Sequence, residues 1–164
     1  MTASTRSYLT RTAALKEQLL PEKVLKQFNT LQAAGQYDDP AYTRIVMEQL
    51  YPQMLCRLSP WPEPVSHAFR LVNEKIYNRM QGKSEFEVTG NLKDWDRWDR
   101  LSEIKVKALT IGSIHDEMDP EDMRKMASLM PNATCAICPN GSHLDMWDDQ
   151  AFYFHHLLAF LKSV

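Results

Sequence analysis

Only two stretches of this chain carry the period-two apolar pattern of a β-strand, Val106–Gly112 and Ala133–Cys138, and both lie in its second half. A helical pattern separates them at Pro120–Met130, with Met123, Met126, Ala127 and Met130 on one face. An amphipathic pattern follows at Asp149–Lys162. Strand, helix, strand, helix is the order of a parallel α/β unit, because parallel neighbours need a crossover between them. Two strands do not make a stable sheet alone, since both faces and both edges need cover. The pattern therefore predicts a sheet whose remaining partners lie outside these residues or in another chain.

From the start to about residue 80 the spacing is helical and glycine is scarce. Pro21 suits a first turn, Val24, Leu25, Phe28 and Leu31 form a stripe, and Gly35 suits the stop. Asp39-Pro40 repeats the start signal ahead of Ile45, Val46 and Leu50, and Pro52 is expected to interrupt that helix. Three prolines in Pro60-Trp61-Pro62-Glu63-Pro64 predict an extended loop, followed by one helix over Val65–Tyr77. Asn91–Arg100 is a charged connector containing Trp95 and Trp98.

The five glycines, at 35, 82, 90, 112 and 141, are never four apart. A Gly-x-Ser-x-Gly nucleophile elbow is thus absent from the sequence. So are a phosphate-binding loop and a dinucleotide fingerprint, which need closely spaced glycines. A net charge of -2 with both signs interspersed offers no basic block to neutralise phosphates, so nucleic acid is excluded as a partner. No apolar run reaches the ~18 residues of a membrane span. The first residues lack the apolar stretch of a secretion signal, and three cysteines cannot all pair within one chain; a cytoplasmic protein is expected.

In an open parallel sheet, chemistry collects beyond the carboxyl ends of the strands. The loop after the first strand holds His115-Asp116-Glu117, and the loop after the second holds Gly141-Ser142-His143. A carboxylate accepting from one imidazole nitrogen fixes the tautomer and favours the imidazolium, which makes Asp116 and His143 candidates for an acid–histidine pair. On residue type alone the two also read as a turn aspartate and a loop histidine.

Longer runs narrow the choice. Tyr77-Asn78-Arg79-Met80-Gln81-Gly82-Lys83-Ser84-Glu85-Phe86-Glu87-Val88-Thr89-Gly90, then Leu92-Lys93-Asp94-Trp95-Asp96, then His115-Asp116-Glu117-Met118-Asp119-Pro120, then Gly141-Ser142-His143-Leu144-Asp145-Met146-Trp147-Asp148-Asp149 resemble, in order, the proline iminopeptidase family of α/β-hydrolases. Cys56-Arg57 with Trp61-Pro62-Glu63-Pro64 is similar to that family's cap segment. The resemblance implies an incomplete α/β-hydrolase: a helical cap over residues 1–90 and the last strand-helix-strand-helix unit over 91–164, with the nucleophile-bearing half absent. It places the triad aspartate on Asp116 and the triad histidine on His143. It places the carboxylates that bind a substrate's free α-ammonium on Glu85 and Glu117, with Glu87 as the competitor should the register slip. A primary ammonium has three donors and a full charge, which suits two converging carboxylates.

The implied activity is release of an N-terminal residue, often proline, from a peptide or amino-acid amide through an acyl-enzyme, with no metal or organic cofactor. Without an elbow the chain alone is expected to be inactive. It is also expected to self-associate or to need the other half. A non-catalytic binding or oligomerisation module and an esterase or amidase of the same superfamily are the alternatives. Lys107 stands where the family commonly has proline and Ser113 where a second glycine is common, which bears on the aim of Asp116. Cys135 and Cys138, three apart in a strand, would point to opposite faces and so make a poor metal or redox pair.

Overall fold

A computed structural model describes residues 2–164. The first half, to Met80, is helical. Helix α1 (Thr5–Leu19) and helix α2 (Glu22–Ala33) lead into α3 (Pro40–Ile45), whose Asp39 cap accepts the Ala41 N–H at 2.7 Å. Phe28 is at the centre of the helical core. It stacks on Tyr42 with centroids 4.8 Å apart and meets Phe86 edge-on at 5.3 Å, inside a cluster that includes Leu15, Ile45, Leu50 and Met54.

Pro52 does not interrupt the helix as expected. A π-helical turn, Val46–Leu50, precedes it, and the chain continues into α4 (Tyr51–Met54) with Pro52 in the first turn. The Tyr51 N–H donates to Val46 O, one residue further back than in an α-helix. The wider turn accommodates a ring that would otherwise crowd the preceding carbonyl. The single helix expected over Val65–Tyr77 is two: α5 (Glu63–Arg70) and α6 (Glu74–Met80). Asn73 makes the break, because its side chain caps the Ile76 N–H at 3.1 Å and starts a new helix.

The C-terminal region has the expected order. A 3-10 segment (Trp98–Glu103) leads to β1 (Ala108–Ser113), α7 (Pro120–Leu129) and β2 (Ala133–Cys138), then short α8 (Asp145–Asp148) and α9 (Gln150–Leu161). The strands pair in parallel from Ala108 opposite Ala133 to Ser113 opposite Cys138, the two-stranded sheet of the described residues. Strand β1 begins two residues later than its pattern suggested. Val106 has no partner to pair with, because the chain opposite is still turning through Asn132, whose carbonyl receives the Ala108 N–H at 3.0 Å. Helix α7 lies directly on β1: a Cβ on Gly112 would sit 2.5 Å from Met123 Cγ.

The closing helix turns one face inward, with Phe152, Tyr153, His156, Leu157 and Phe160 half-buried, but none of α9 is fully buried. Val106, Phe154, Leu158, Leu161 and Val164 are all exposed. The N-terminal residues tie the two regions together: Thr5 N–H donates to Trp95 O at 2.9 Å, and Arg97 N–H donates to Ala3 O at 2.8 Å. No helix of the described residues is long and apolar enough to cross a membrane.

Candidate active site

Because β1 and β2 are parallel and in register, the loops that follow Ser113 and Cys138 leave the sheet side by side. Main-chain bonds hold them together there: Ile114 N–H to Cys138 O at 3.1 Å, and His115 N–H to Gly141 O at 3.1 Å. This brings His143 Nδ1 to 3.0 Å from Asp116 Oδ1. The same oxygen accepts the Met118 N–H at 2.8 Å, which orients the carboxylate from its own loop. Arg11 of α1 steadies the loop from outside, donating to Ile114 O at 3.2 Å and to Asp116 O at 3.4 Å. Lys107 and Ser113 therefore do not turn Asp116 away from His143.

The histidine loop is also stitched to the cap. His143 N–H donates to Met54 O at 3.0 Å and Leu144 N–H to Leu55 O at 2.9 Å. Asp148 accepts from the main chain of both sides, from Ser142 N at 3.0 Å and Arg57 N at 2.9 Å. Asp149 takes the Asn140 N–H at 2.9 Å. Carboxylates of α8 and its end thus fold the loop back upon itself.

Glu85 comes from the cap. Its neighbours anchor it: the Ser84 hydroxyl pairs with Tyr42 at 2.6 Å and accepts the Phe86 N–H at 3.1 Å, while Phe86 enters the aromatic core. Glu85 then lines a cavity of ≈ 420 Å³ together with Glu117 and His143. Tyr8, Phe69, Tyr77, Leu92 and Trp95 supply its apolar walls. Glu117 is 4% exposed, with Oε1 3.9 Å from His143 Nδ1. Glu85 Oε1 and Glu117 Oε2 are enclosed and have no hydrogen-bond partner among the described residues. Glu87 is elsewhere, its carboxylate taken by the Tyr37 hydroxyl.

Charge follows from this enclosure. Burial raises the Glu117 carboxyl well above its ordinary value, and the charges of Glu85 and Asp116 add to the effect while His143 opposes it. Burial raises Glu85 too, against the Tyr51 hydroxyl and His143. Burial alone would lower the His143 imidazole, but the hydrogen bond and charge of Asp116, with Glu117 behind them, hold it at about 9. Burial, then Glu117 and Glu85, push the Tyr8 hydroxyl up. With Nδ1 committed to a carboxylate, Nε2 is the ring nitrogen free to exchange a proton. Two carboxyls that resist ionisation in a lined cavity suit a cationic guest.

The structure thus brings Glu85, Glu117 and His143 around one space, and holds Asp116 against the His143 ring outside its lining. Trp95, which the sequence left open between packing under the cap and lining a pocket, lines it too, whereas Tyr8 and Tyr77 escaped the sequence reading because wall residues at a cap–sheet junction follow no single period. The three cysteines are free, and Cys135 lies partly exposed while Cys138 is buried.

Fold and site together define the carboxyl-terminal part of an α/β-hydrolase, with its helical cap. No protein-family model matches the sequence. It is 42% identical to a proline iminopeptidase of Chitinophaga pinensis over 147 residues, 88% of this chain and 49% of the relative. It is 39% identical to one from Flavobacterium johnsoniae over 150 residues, 92% of this chain and 50% of the relative. Among solved structures, VinJ superposes with a TM-score of 0.91 at 27% identity, over 99% of this chain and 55% of the other. The proline iminopeptidase of Mycobacterium smegmatis gives 0.86 at 26%, over 99% and 54%. The chain spans about half the length of the curated relatives it matches. Over the half that it spans, the chain belongs to the proline iminopeptidase family of α/β-hydrolases.

Proposed function

We propose that this chain carries the acid–histidine pair and the amine-recognition site of a serine aminopeptidase that releases N-terminal residues, often proline, from peptides or amino-acid amides. Residues 1–90 act as the cap and residues 91–164 as the sheet-bearing segment. His143 serves as general base and then acid through Nε2, Asp116 orients it, and Glu85 with Glu117 receives the substrate's α-ammonium. The serine nucleophile comes from polypeptide outside these residues, so the chain alone turns nothing over. The exposed apolar face of α9 and the free edge of the sheet are covered by that polypeptide or, in its absence, by a second copy.

The observation that supports this reading is the pair of enclosed carboxylate oxygens, on Glu85 and Glu117, that have no hydrogen-bond partner among the described residues and belong to side chains lining the cavity of His143. An esterase has no use for two such carboxylates. A primary or secondary ammonium would satisfy both and relieve their raised affinity for protons.

Calorimetry with the purified chain tests it. Prolinamide is expected to bind, N-acetylprolinamide is expected not to, and Glu85→Gln and Glu117→Gln are each expected to weaken prolinamide at least about tenfold, the loss of one charge-assisted hydrogen bond. Equal binding of the free and acetylated amides would rule the reading out and favour the non-catalytic module.

A further inference from the structure

Ser113 and Asp145 play no part in the reading above, yet both are buried against the pair it rests on. Ser113 ends β1, three residues before Asp116, and Asp145 opens α8, two residues after His143. The Ser113 hydroxyl donates to Asp145 Oδ2 at 2.8 Å, with Ser113 wholly enclosed and Asp145 6% exposed. Cys138, opposite Ser113 in the ladder, is buried at the end of β2.

A carboxyl taken out of water is unfavourable unless donors hold it. Burial raises Asp145, and the Ser113 hydroxyl at the end of β1 opposes the rise. Gly141 passes through the narrow space beside them, where a Cβ would lie 2.8 Å from both Ser113 Oγ and Asp145 Cβ. The start of α8 is therefore drawn down onto the strand ends with no room for adjustment. The charged groups facing His143 are Asp116 and Glu117 beside it and Glu85 across the cavity. Among the described residues no hydrogen bond or ion pair joins Asp145 to His143, so the influence proposed for it passes through position.

We propose that Ser113 and Asp145 are positioning residues, whose hydrogen bond fixes the start of the histidine-bearing segment to the end of the aspartate-bearing strand and thereby sets the Asp116–His143 contact. The inference rests on the acid–histidine reading of that contact and is independent of which substrate the cavity takes.

The test is a proton-NMR titration of the His143 ring in the purified chain. Asp116→Asn sets the scale and is expected to lower the His143 pKa by at least about one pH unit. Ser113→Ala combined with Asp145→Ala removes donor and acceptor together, which leaves no orphaned carboxyl and favours a folded variant. It is expected to lower His143 by a comparable amount. Asp145→Asn keeps an acceptor oxygen for Ser113 while removing the charge, and is expected to leave His143 where it was.

A folded double variant in which His143 titrates as in the parent overturns the proposal. So does an Asp145→Asn variant that shifts it as far as the double variant, which would make charge and not position the cause. Should the double variant not fold, Ser113→Ala alone, read at the same ring, decides. An Asp116→Asn variant with an unmoved His143 would remove the acid–histidine reading itself, and this inference with it.

Discussion

The cap and the sheet unit differ in how far each closes upon itself. Around Phe28, Leu50 and Met54 the cap has side chains with no exposure at all, stacked aromatics and a continuous cluster reaching from α1 to Phe86. The sheet unit has α7 pressed onto one face, while the opposite side carries α9, no residue of which is buried. The difference comes from hydrogen bonding. A helix satisfies its own main chain and needs neighbours only for its apolar stripe, whereas a strand needs neighbours for its main chain as well. Helices can therefore complete a core from local sequence, and a pair of parallel strands cannot.

The contrast can be broken most directly by a truncation at the centre of the cap. Phe28→Ala is expected to cost about 3–5 kcal/mol, because the site is enclosed by rings that cannot collapse into the space. Urea denaturation would measure it, and a cost below about 1 kcal/mol would mean that the cap core is no better closed than the sheet unit.

A smaller effect is expected at the junction of the two regions, and it depends on pH. His143 is raised to about 9, so its contribution to stability is complete below its ordinary value of ~6.5 and is lost as the pH rises through about 9. Glu85 and Glu117 are raised as well, so theirs is complete in acid, below the ordinary ~4.3, and is lost as the pH rises through their elevated values. All three act in the same direction. The thermal midpoint should fall between pH 6 and about 9, and Glu117→Gln should flatten that fall while stabilising the chain at neutral pH by on the order of 1 kcal/mol. A midpoint that climbs over this window would contradict the enclosure of the two carboxylates.

The smallest effect on stability is expected on α9. Leu158→Lys should change the unfolding free energy by no more than about 0.5 kcal/mol, since the side chain is 51% exposed. Light scattering over a concentration series should show less association in that variant than in the parent. A monodisperse parent at every concentration would show that this face needs no cover.

Much of this architecture was legible from spacing. The turn from period 3.6 to period 2, the Asp39-Pro40 start and the span of β2 are local properties, and local chemistry decides them. The misreadings share one cause. Pro52 was expected to end a helix because the widened turn before it depends on packing around Val46 and Leu50, and the break at Asn73 depends on a cap that competes with a good helical stripe. At the site, residue type and spacing alone left Asp116 and His143 as one reading among others. The motif order supplied Glu85 and Glu117, which are far apart in the chain and meet only because cap and sheet fold against each other. Ser113 stood out in the sequence as a departure from the family's glycine, but nothing in the pattern tied it to Asp145.

The seam between His143-Leu144 and Met54-Leu55 is made of main-chain atoms on both sides. Side-chain replacement cannot remove an amide or a carbonyl, and proline is the one residue that would delete a donor from it. Sequence drift in the four residues can therefore reshape the walls of the cavity while leaving the cap docked in the same place. A scaffold joined in this way can change what it admits without changing where its proton-transfer group stands.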